Sequence, residues 1–294
     1  MKFMGIGDEA GPSLESQLGA TRDLGWQFIE LRAVELPGQV KANLHDIPDA
    51  AFDLVLKQME ESGVKVHCFG SAVMNWAKRI SDPFDMTLGE VQRCIPRMQR
   101  LGTKLVRIMS FKPGDEEFKT PVEVFRRVKD VTNMLLDAGL QPVHENCMNY
   151  GGMSWQHTLD LLDKCPGLEL VFDTANPVFN PDRSKPKPWP RQDPWEFWTN
   201  VRDYVSHIHV KDATWNPTKR DADYSWPGEG QARVRDILKD AAARGYQAGL
   251  SIEPHLTTVF HDPHAKSANS SAARTNFVEY GRRLVRLLDE ARKD

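Results

Sequence analysis

The chain has 294 residues, of which 40% are hydrophobic and 27% charged, the make-up of a water-soluble protein able to bury one large core. A formal net charge of -3 and a pI near 6.3 leave no global basic field for a phosphate backbone, which argues against nucleic acid as partner. No apolar run approaches membrane-spanning length, and the start from Met1 to Gly7 lacks the long apolar region of a secretory signal.

Short apolar runs alternate with longer helical patterns along the whole chain. The strands are expected at Phe3 to Gly7, Phe28 to Arg32, Val64 to Gly70, Leu105 to Ser110, Gln141 to Asn146, Leu168 to Asp173, Val205 to Lys211 and Ala248 to Glu253. Between them, apolar residues recur at three- and four-residue spacing, as with Val124, Val128, Val131, Leu135 and Leu136 in the fourth helix. Gly25, Gly63, Gly102, Gly139 and Gly245 each stand just past such a helix and before the next strand, where a left-handed terminating residue is wanted. Eight such units predict an α/β fold, one (β/α)8 TIM barrel spanning residues 1-294 as a single domain. No strand is followed by a dinucleotide-binding or P-loop glycine motif, and phosphate recognition is not evident.

Two segments break the repeat: a Pro-rich stretch from Pro177 to Pro194, and a polar, Trp-containing one from Trp215 to Gly230. Both are expected as loops over the C-terminal face of the barrel, where such folds build their sites. The polar stretch from Phe260 to Ser271 is read as a further loop, and the four widely spaced cysteines as reduced thiols in a cytoplasmic protein. A leader removed beforehand would leave no trace in this sequence.

Four residues of metal-ligand type fall at the ends of four successive expected strands: Glu145, Asp173, His209 and Glu253. In a barrel those ends meet at one mouth. Three carboxylates and an imidazole gathered there repel one another and lose hydration unless a cation compensates them, and the hard donor set suits Mn2+, Mg2+ or Co2+, with Zn2+ as an alternative. His209 is preferred to His207 because it lies nearer the strand's C-terminal end; His207 reads as a barrel-interior histidine bonded to its neighbours.

Glu145, the Asp-Thr-Ala-Asn run at Asp173, His-Ile-His-Val-Lys-Asp at 207 to 212, Pro-Gly-Glu-Gly at 227 to 230, and Gly-Tyr-Gln-Ala-Gly-Leu-Ser-Ile-Glu-Pro at 245 to 254 carry a resemblance. Along nearly its whole length the chain resembles the xylose-isomerase-like superfamily of sugar isomerases and epimerases. By that resemblance the four residues hold one divalent metal, Mn2+ first, and Glu145 and Glu253 act as acid and base. The chemistry implied is isomerisation or epimerisation of a sugar through an enediolate; the alternative is β-elimination from a 3-keto-glycoside on the same site. A small-molecule sugar or sugar derivative is the expected partner, and a homodimer the expected assembly.

The chain also departs from the family pattern. Epimerases of the group often carry His three residues after the sixth-strand Asp, and here that residue is Asn176. The endonuclease-IV-type members need further histidines for a trinuclear zinc cluster, and one of those positions is again Asn176. Residues expected to contact substrate are Glu9, Arg32, His67, Asn176, Lys211, His255 and Trp215, with Trp76 and Trp226 also in loops that could stack on a sugar ring.

Overall fold

The computed structural model describes residues 1–256 and 270–293. Twelve strands and nine helices alternate among them. In chain order they are β1 (Lys2–Gly5), α1 (Leu14–Asp23), β2 (Phe28–Leu31), β3 (Ala33–Val34), β4 (Ala42–Asn43), α2 (Asp49–Ser62), β5 (Lys65–Gly70), α3 (Phe84–Leu101), β6 (Leu105–Ile108) and α4 (Val122–Asp137). Then follow β7 (Gln141–Glu145), α5 (Trp155–Lys164), β8 (Glu169–Asp173), α6 (Asn176–Phe179), α7 (Pro194–Val201), β9 (Val205–Val210), β10 (Asp212–Asn216), β11 (Asp221–Ser225), α8 (Val234–Ala243), β12 (Gly249–Ile252) and α9 (Ser270–Ala291).

Eight of the strands form one parallel sheet in the order β1-β12-β9-β8-β7-β6-β5-β2. A parallel bridge between Ile6 and Glu30 brings the first and last of these strands together, so the sheet is a nearly closed (β/α)8 barrel. All eight strands expected from the sequence are present, most of them ending one or two residues earlier. Arg32, Lys211 and Glu253, just past the ends of their strands, line the mouth. Among the described residues, no helix is long and apolar enough to cross a membrane.

The helices form where the periodicity places them. In α4, Val124, Val128, Val131 and Leu135 are buried against the barrel, each contributing about 1.5–3 kcal/mol of apolar burial. Gly63 and Gly102 close α2 and α3 at φ 69° and 68°, a conformation open to glycine at little strain. Ser13 and Ser154 cap α1 and α5 by accepting from Ser16 N and His157 N. The four cysteines are free and buried.

The segment from Trp215 to Gly230 is not simply a loop. Its first half completes an antiparallel hairpin of β10 and β11, with Ala213 opposite Tyr224 and Trp215 opposite Ala222. Period-two alternation is present in Asp-Ala-Thr-Trp-Asn and Asp-Ala-Asp-Tyr-Ser, but polar residues on both faces hide it from a hydrophobicity reading. The Pro-Gly-Glu-Gly turn that follows is clasped by Asp212, whose carboxylate accepts from the amides of Ala213, Gly228, Gly230 and Ala232 at 2.8–3.1 Å. A Cβ on Gly230 would sit 2.3 Å from Asp212 Oδ1, so the clasp requires glycine there. The stretch from Pro177 to Pro194 is anchored at its ends by α6 and by a bridge between Pro181 and Arg191. The Phe260 to Ser271 stretch lies, for the most part, outside the described residues.

Candidate metal and substrate site

Strands β7, β8, β9 and β12 are neighbours in the sheet, so the residues at their C-terminal ends are neighbours in space. Asp173 is paired with His209 across β8 and β9, and the amide of Glu253 donates to Val210 O at 3.0 Å. One ligand atom from each of Glu145, Asp173, His209 and Glu253 lies within 4.8 Å of all the others. All four residues are buried, none more than 3% exposed.

Each of the four side chains is held by hydrogen bonds or ion pairs to its neighbours. Asp173 Oδ1 accepts from the amides of Ala175 (2.9 Å) and Asn176 (2.7 Å), which turns Oδ2 inward. His209 Nε2 lies 3.1 Å from Glu30 Oε2, which directs Nδ1 at the cluster, 3.9 Å from Glu145 Oε1. Carboxylate, histidine and inward-facing nitrogen form the arrangement that fixes the tautomer of a metal-binding imidazole. His207 lies 2.9 Å from the same Glu30 and stays inside the barrel. Asn176 Nδ2 donates to Glu145 Oε1 at 3.2 Å, and Arg107 pairs with Glu145 Oε2 at 3.2 Å. Glu253 is gripped by Arg32 at 2.9 Å and by Lys211 at 2.9 Å, and Lys211 also reaches Asp173 Oδ2 at 3.0 Å.

Three of the buried atoms facing one another make no hydrogen bond of regular geometry, Glu145 Oε2, Asp173 Oδ2 and His209 Nδ1; the first two are met by the ion pairs with Arg107 and Lys211, and the ring nitrogen by neither. Two carboxylate oxygens and a ring nitrogen gathered this closely are a donor set of a kind that can hold a cation. Charge points the same way. Six buried carboxylates (Asp8, Glu9, Glu30, Glu145, Asp173 and Glu253) face four permanent cations (Arg32, Lys41, Arg107 and Lys211), and His209 in its charged form narrows the gap to one negative charge in excess. Burial, reinforced by Glu253 and Glu145 against the pull of Lys211, pushes Asp173 up to about 6. Burial by itself would lower His209, yet Glu30, Glu145 and Glu253 raise it to about 9. Glu253 runs the other way. Burial disfavours its charge, but Lys211, His255, Arg32 and His209 together hold it well below the usual carboxylate range.

Above the cluster opens a cavity of about 340 Å³, within the range of small-molecule sites, lined by Arg32, Trp76, Arg107, Glu145, Lys211 and Glu253 among others. Asn176 and His255 also line it, and Glu9 stands behind His255, accepting from its amide at 3.1 Å and lying 2.9 Å from its Nδ1. His255 adopts φ 52°, a strained conformation for a bulky side chain and one that clusters at functional sites. Trp215 is displaced from this cavity. It lines a neighbouring one, with the Arg191 guanidinium 3.7 Å from its ring centre. Trp226 packs on Tyr280 and Arg283 instead of facing the mouth.

His67 is a correction. It lies at the opposite, N-terminal end of the barrel beside Lys2, Phe28 and Lys65, not among the substrate contacts. It is the third of six residues in β5, too early in the strand to reach the mouth. Glu30, Arg107, Asp8 and Lys41 were not singled out from the sequence, although Glu30 in Phe-Ile-Glu-Leu and Arg107 in Leu-Val-Arg-Ile are charges inside apolar strands. A charge in that setting is buried and paired, and that signal could have found both.

The xylose isomerase-like TIM barrel family model matches residues 18–277. The chain belongs to that family. No curated protein matches it. Among solved structures with the family's fold, an IOLI protein with a bound zinc atom superposes at TM-score 0.70 with 16% identity, covering 99% of each chain. An L-ribulose 3-epimerase gives TM-score 0.66 and 16% identity over 100% of this chain and 96% of its own. A probable 3-DHS dehydratase, AsbF of Bacillus anthracis, gives 0.67 and 13% over 94% and 97%. At these identities the likeness concerns the fold, and a family barrel carries its chemistry in the side chains at its mouth.

Proposed function

We propose that this chain is a divalent-metal-dependent isomerase or epimerase of a sugar or sugar derivative, with Glu145 and Glu253 as the acid-base pair. What carries the reading is the convergence of four buried ligand-type side chains within 4.8 Å of one another, with carboxylates outnumbering cations around them. Glu145, Asp173, His209 and Glu253 would hold the ion. Three carboxylates and an imidazole suit Mn2+ first, with Mg2+, Co2+ or Zn2+ as alternatives; a solved relative in fold contains zinc. When bound, such an ion polarises a carbonyl and stabilises negative charge on its oxygen.

The protein's own groups supply the proton transfers. One glutamate takes the proton from the carbon beside the carbonyl, leaving an enediolate, and the other returns a proton to the opposite face or to the adjacent carbon. The two differ in setting: Glu253 is gripped by two cations, Arg32 and Lys211, whereas Glu145 is met by one, Arg107, and by the neutral amide of Asn176. Lys211 and Arg107 stand beside both carboxylates as donors for the substrate oxygens. The walls of the cavity, with Trp76 and Phe179, exclude water from the reacting carbons.

A second reading has a specific observation in its favour. The mouth continues into a further cavity, which gives room for a group that departs, so the same enediolate could expel a substituent from the neighbouring carbon of a 3-keto-glycoside. A dehydratase shares the fold.

Elemental mass spectrometry on the purified protein tests the reading. About one equivalent of divalent metal in the parent, lost in the Glu145→Ala, His209→Ala double variant, is expected. No metal even after incubation with excess cation would remove it. Deuterium uptake from solvent into keto-sugars, with or without release of an aglycone, then separates isomerase from lyase.

A further inference from the structure

The cavity that adjoins the acidic one measures about 290 Å³, and the two share Cys147, Met148 and Phe179 in their walls. Basic groups outnumber acidic ones in its lining two to one. Lys112, Arg183, Arg191 and Arg220 line it, against Asp115 and Asp221. Among the described residues, none of the four cations has a carboxylate oxygen within 4.0 Å.

The guanidiniums are nevertheless held in place. Arg183 donates to the backbone oxygens of Gly114 (2.6 Å) and Glu117 (2.5 Å) and stacks on Trp189. Arg191 donates to Phe179 O and covers one face of Trp215. Carbonyl oxygens and ring faces orient a guanidinium without cancelling its charge. Burial disfavours the charge on Arg183 and Arg191 alike, and Arg220 adds to this at Arg191. Asp115, Glu116 and Glu117 offset part of the charge on Arg183, yet four basic groups against two acidic ones, with no close ion pair among the described residues to fix them, are the electrostatic setting of an anion site.

An independent observation comes from Asn180. It lines the same cavity and is 4% exposed, and its Nδ2 is buried without a hydrogen-bond partner. Its backbone is fixed on both sides, the amide donating to Asn176 O and the carbonyl accepting from Gln192 N, each at 3.1 Å. A buried N–H donor with nothing to donate to calls for an acceptor, and on the wall of a cavity lined by four basic side chains an oxyanion is the acceptor of matching charge. Met148, Met153, Phe179 and Trp215 supply apolar surface for the carbon skeleton bearing it.

We propose that this second cavity is a substrate subsite for an oxyanion, a carboxylate or a phosphate, carried on the part of the substrate remote from the carbonyl on which Glu145 and Glu253 act. This rests on the reading of the acidic cluster as the reaction centre. The substrate is then bipartite: hydroxyls and carbonyl over the acidic cluster, an anionic terminus in the cavity that Asn180 and Arg191 help to line. No local motif announces the subsite, because its groups come from the segment after β6, the stretch after α6 and the β10–β11 turn.

The test is calorimetric titration with inorganic phosphate and, separately, acetate at constant ionic strength. It compares the parent, an Arg191→Gln, Arg220→Gln double variant, and Asn180→Asp, which keeps the size of the side chain and reverses its preference. Saturable binding of one anion to the parent, weakened about tenfold or more in both variants, is expected, since each lost charge-assisted hydrogen bond is worth about 1.5–3 kcal/mol. Preference for phosphate over acetate, or the reverse, assigns the terminus. Parent and variants binding alike, or no saturable binding up to tens of millimolar, would overturn the subsite. Metal content measured on the same samples keeps the two readings apart: anion binding without metal uptake would leave the subsite standing and remove the reaction centre.

Discussion

At the C-terminal end of the barrel, Glu145, Asp173, His209 and Glu253 crowd within 4.8 Å of one another, gripped by Arg32, Arg107 and Lys211. At the N-terminal end, His67 sits among Lys2, Phe28, Lys65 and Ser206, with the rings of Phe28 and His207 each 5.7 Å away. Both ends are built from the same strands. Within this fold, what a histidine can do depends less on its type than on how far along its strand it stands: His209 is fifth of six in β9, His67 third of six in β5. Only the former reaches the level at which neighbouring strands present their acids.

The contrast is broken most directly at Glu253. Replacing it with Gln keeps the shape but removes the charge that Arg32 and Lys211 grip, and turnover is expected to fall about 10²–10⁴-fold, measured as deuterium exchange, while circular dichroism stays that of the parent. Retention of full activity with metal bound would remove Glu253 from the acid-base pair. A smaller effect is expected one layer down. Glu30→Gln leaves His209 in place but weakens the grip on Nε2, and metal affinity is expected to drop about 10–100-fold, with turnover recovering at saturating metal. Unchanged affinity would show that the orientation of His209 does not depend on Glu30.

The smallest effect is expected at the other end. His67→Gln should leave turnover at saturating substrate unchanged, as its distance from the mouth requires, and should alter only the pH dependence of stability. Burial, with His207 and Lys2 nearby, holds the folded His67 down at about 4. The unfolded imidazole titrates near its ordinary value of about 6.5, so the stability conferred by the neutral ring is full above that pH and is lost as pH falls toward 4. Because the side chain is only half-buried, the slope is less than the roughly 1.4 kcal/mol per pH unit of a fully sequestered proton. Chemical denaturation at pH 7 and 5 should show a flatter dependence in the variant; an identical slope would mean that His67 titrates normally.

Much of the barrel was legible because its cues are local. Eight apolar runs, the three- and four-residue periodicity of α4 and the glycines after the helices act within a few residues of themselves, and the strands formed where those cues stood. The polar hairpin of β10 and β11 escaped because alternation without hydrophobicity carries little contrast. At the mouth, the strand-end positions of Glu145, Asp173, His209 and Glu253 brought them together, whereas Glu30 and Arg107 went unnoticed as charges within apolar strands.

The sequence by itself determined the order and spacing of the strands, and therefore which residues stand at strand ends, because backbone periodicity and helix termination are decided by near neighbours. Only the tertiary structure decided how the charges settle. Glu30 meets His209 across 179 positions of sequence and Arg32 meets Glu253 across 221, and Lys112, Arg183, Arg191 and Arg220 come to line one cavity from separate segments. Coulombic attraction and desolvation depend on distance and burial in space, and neither is written in the spacing along a chain.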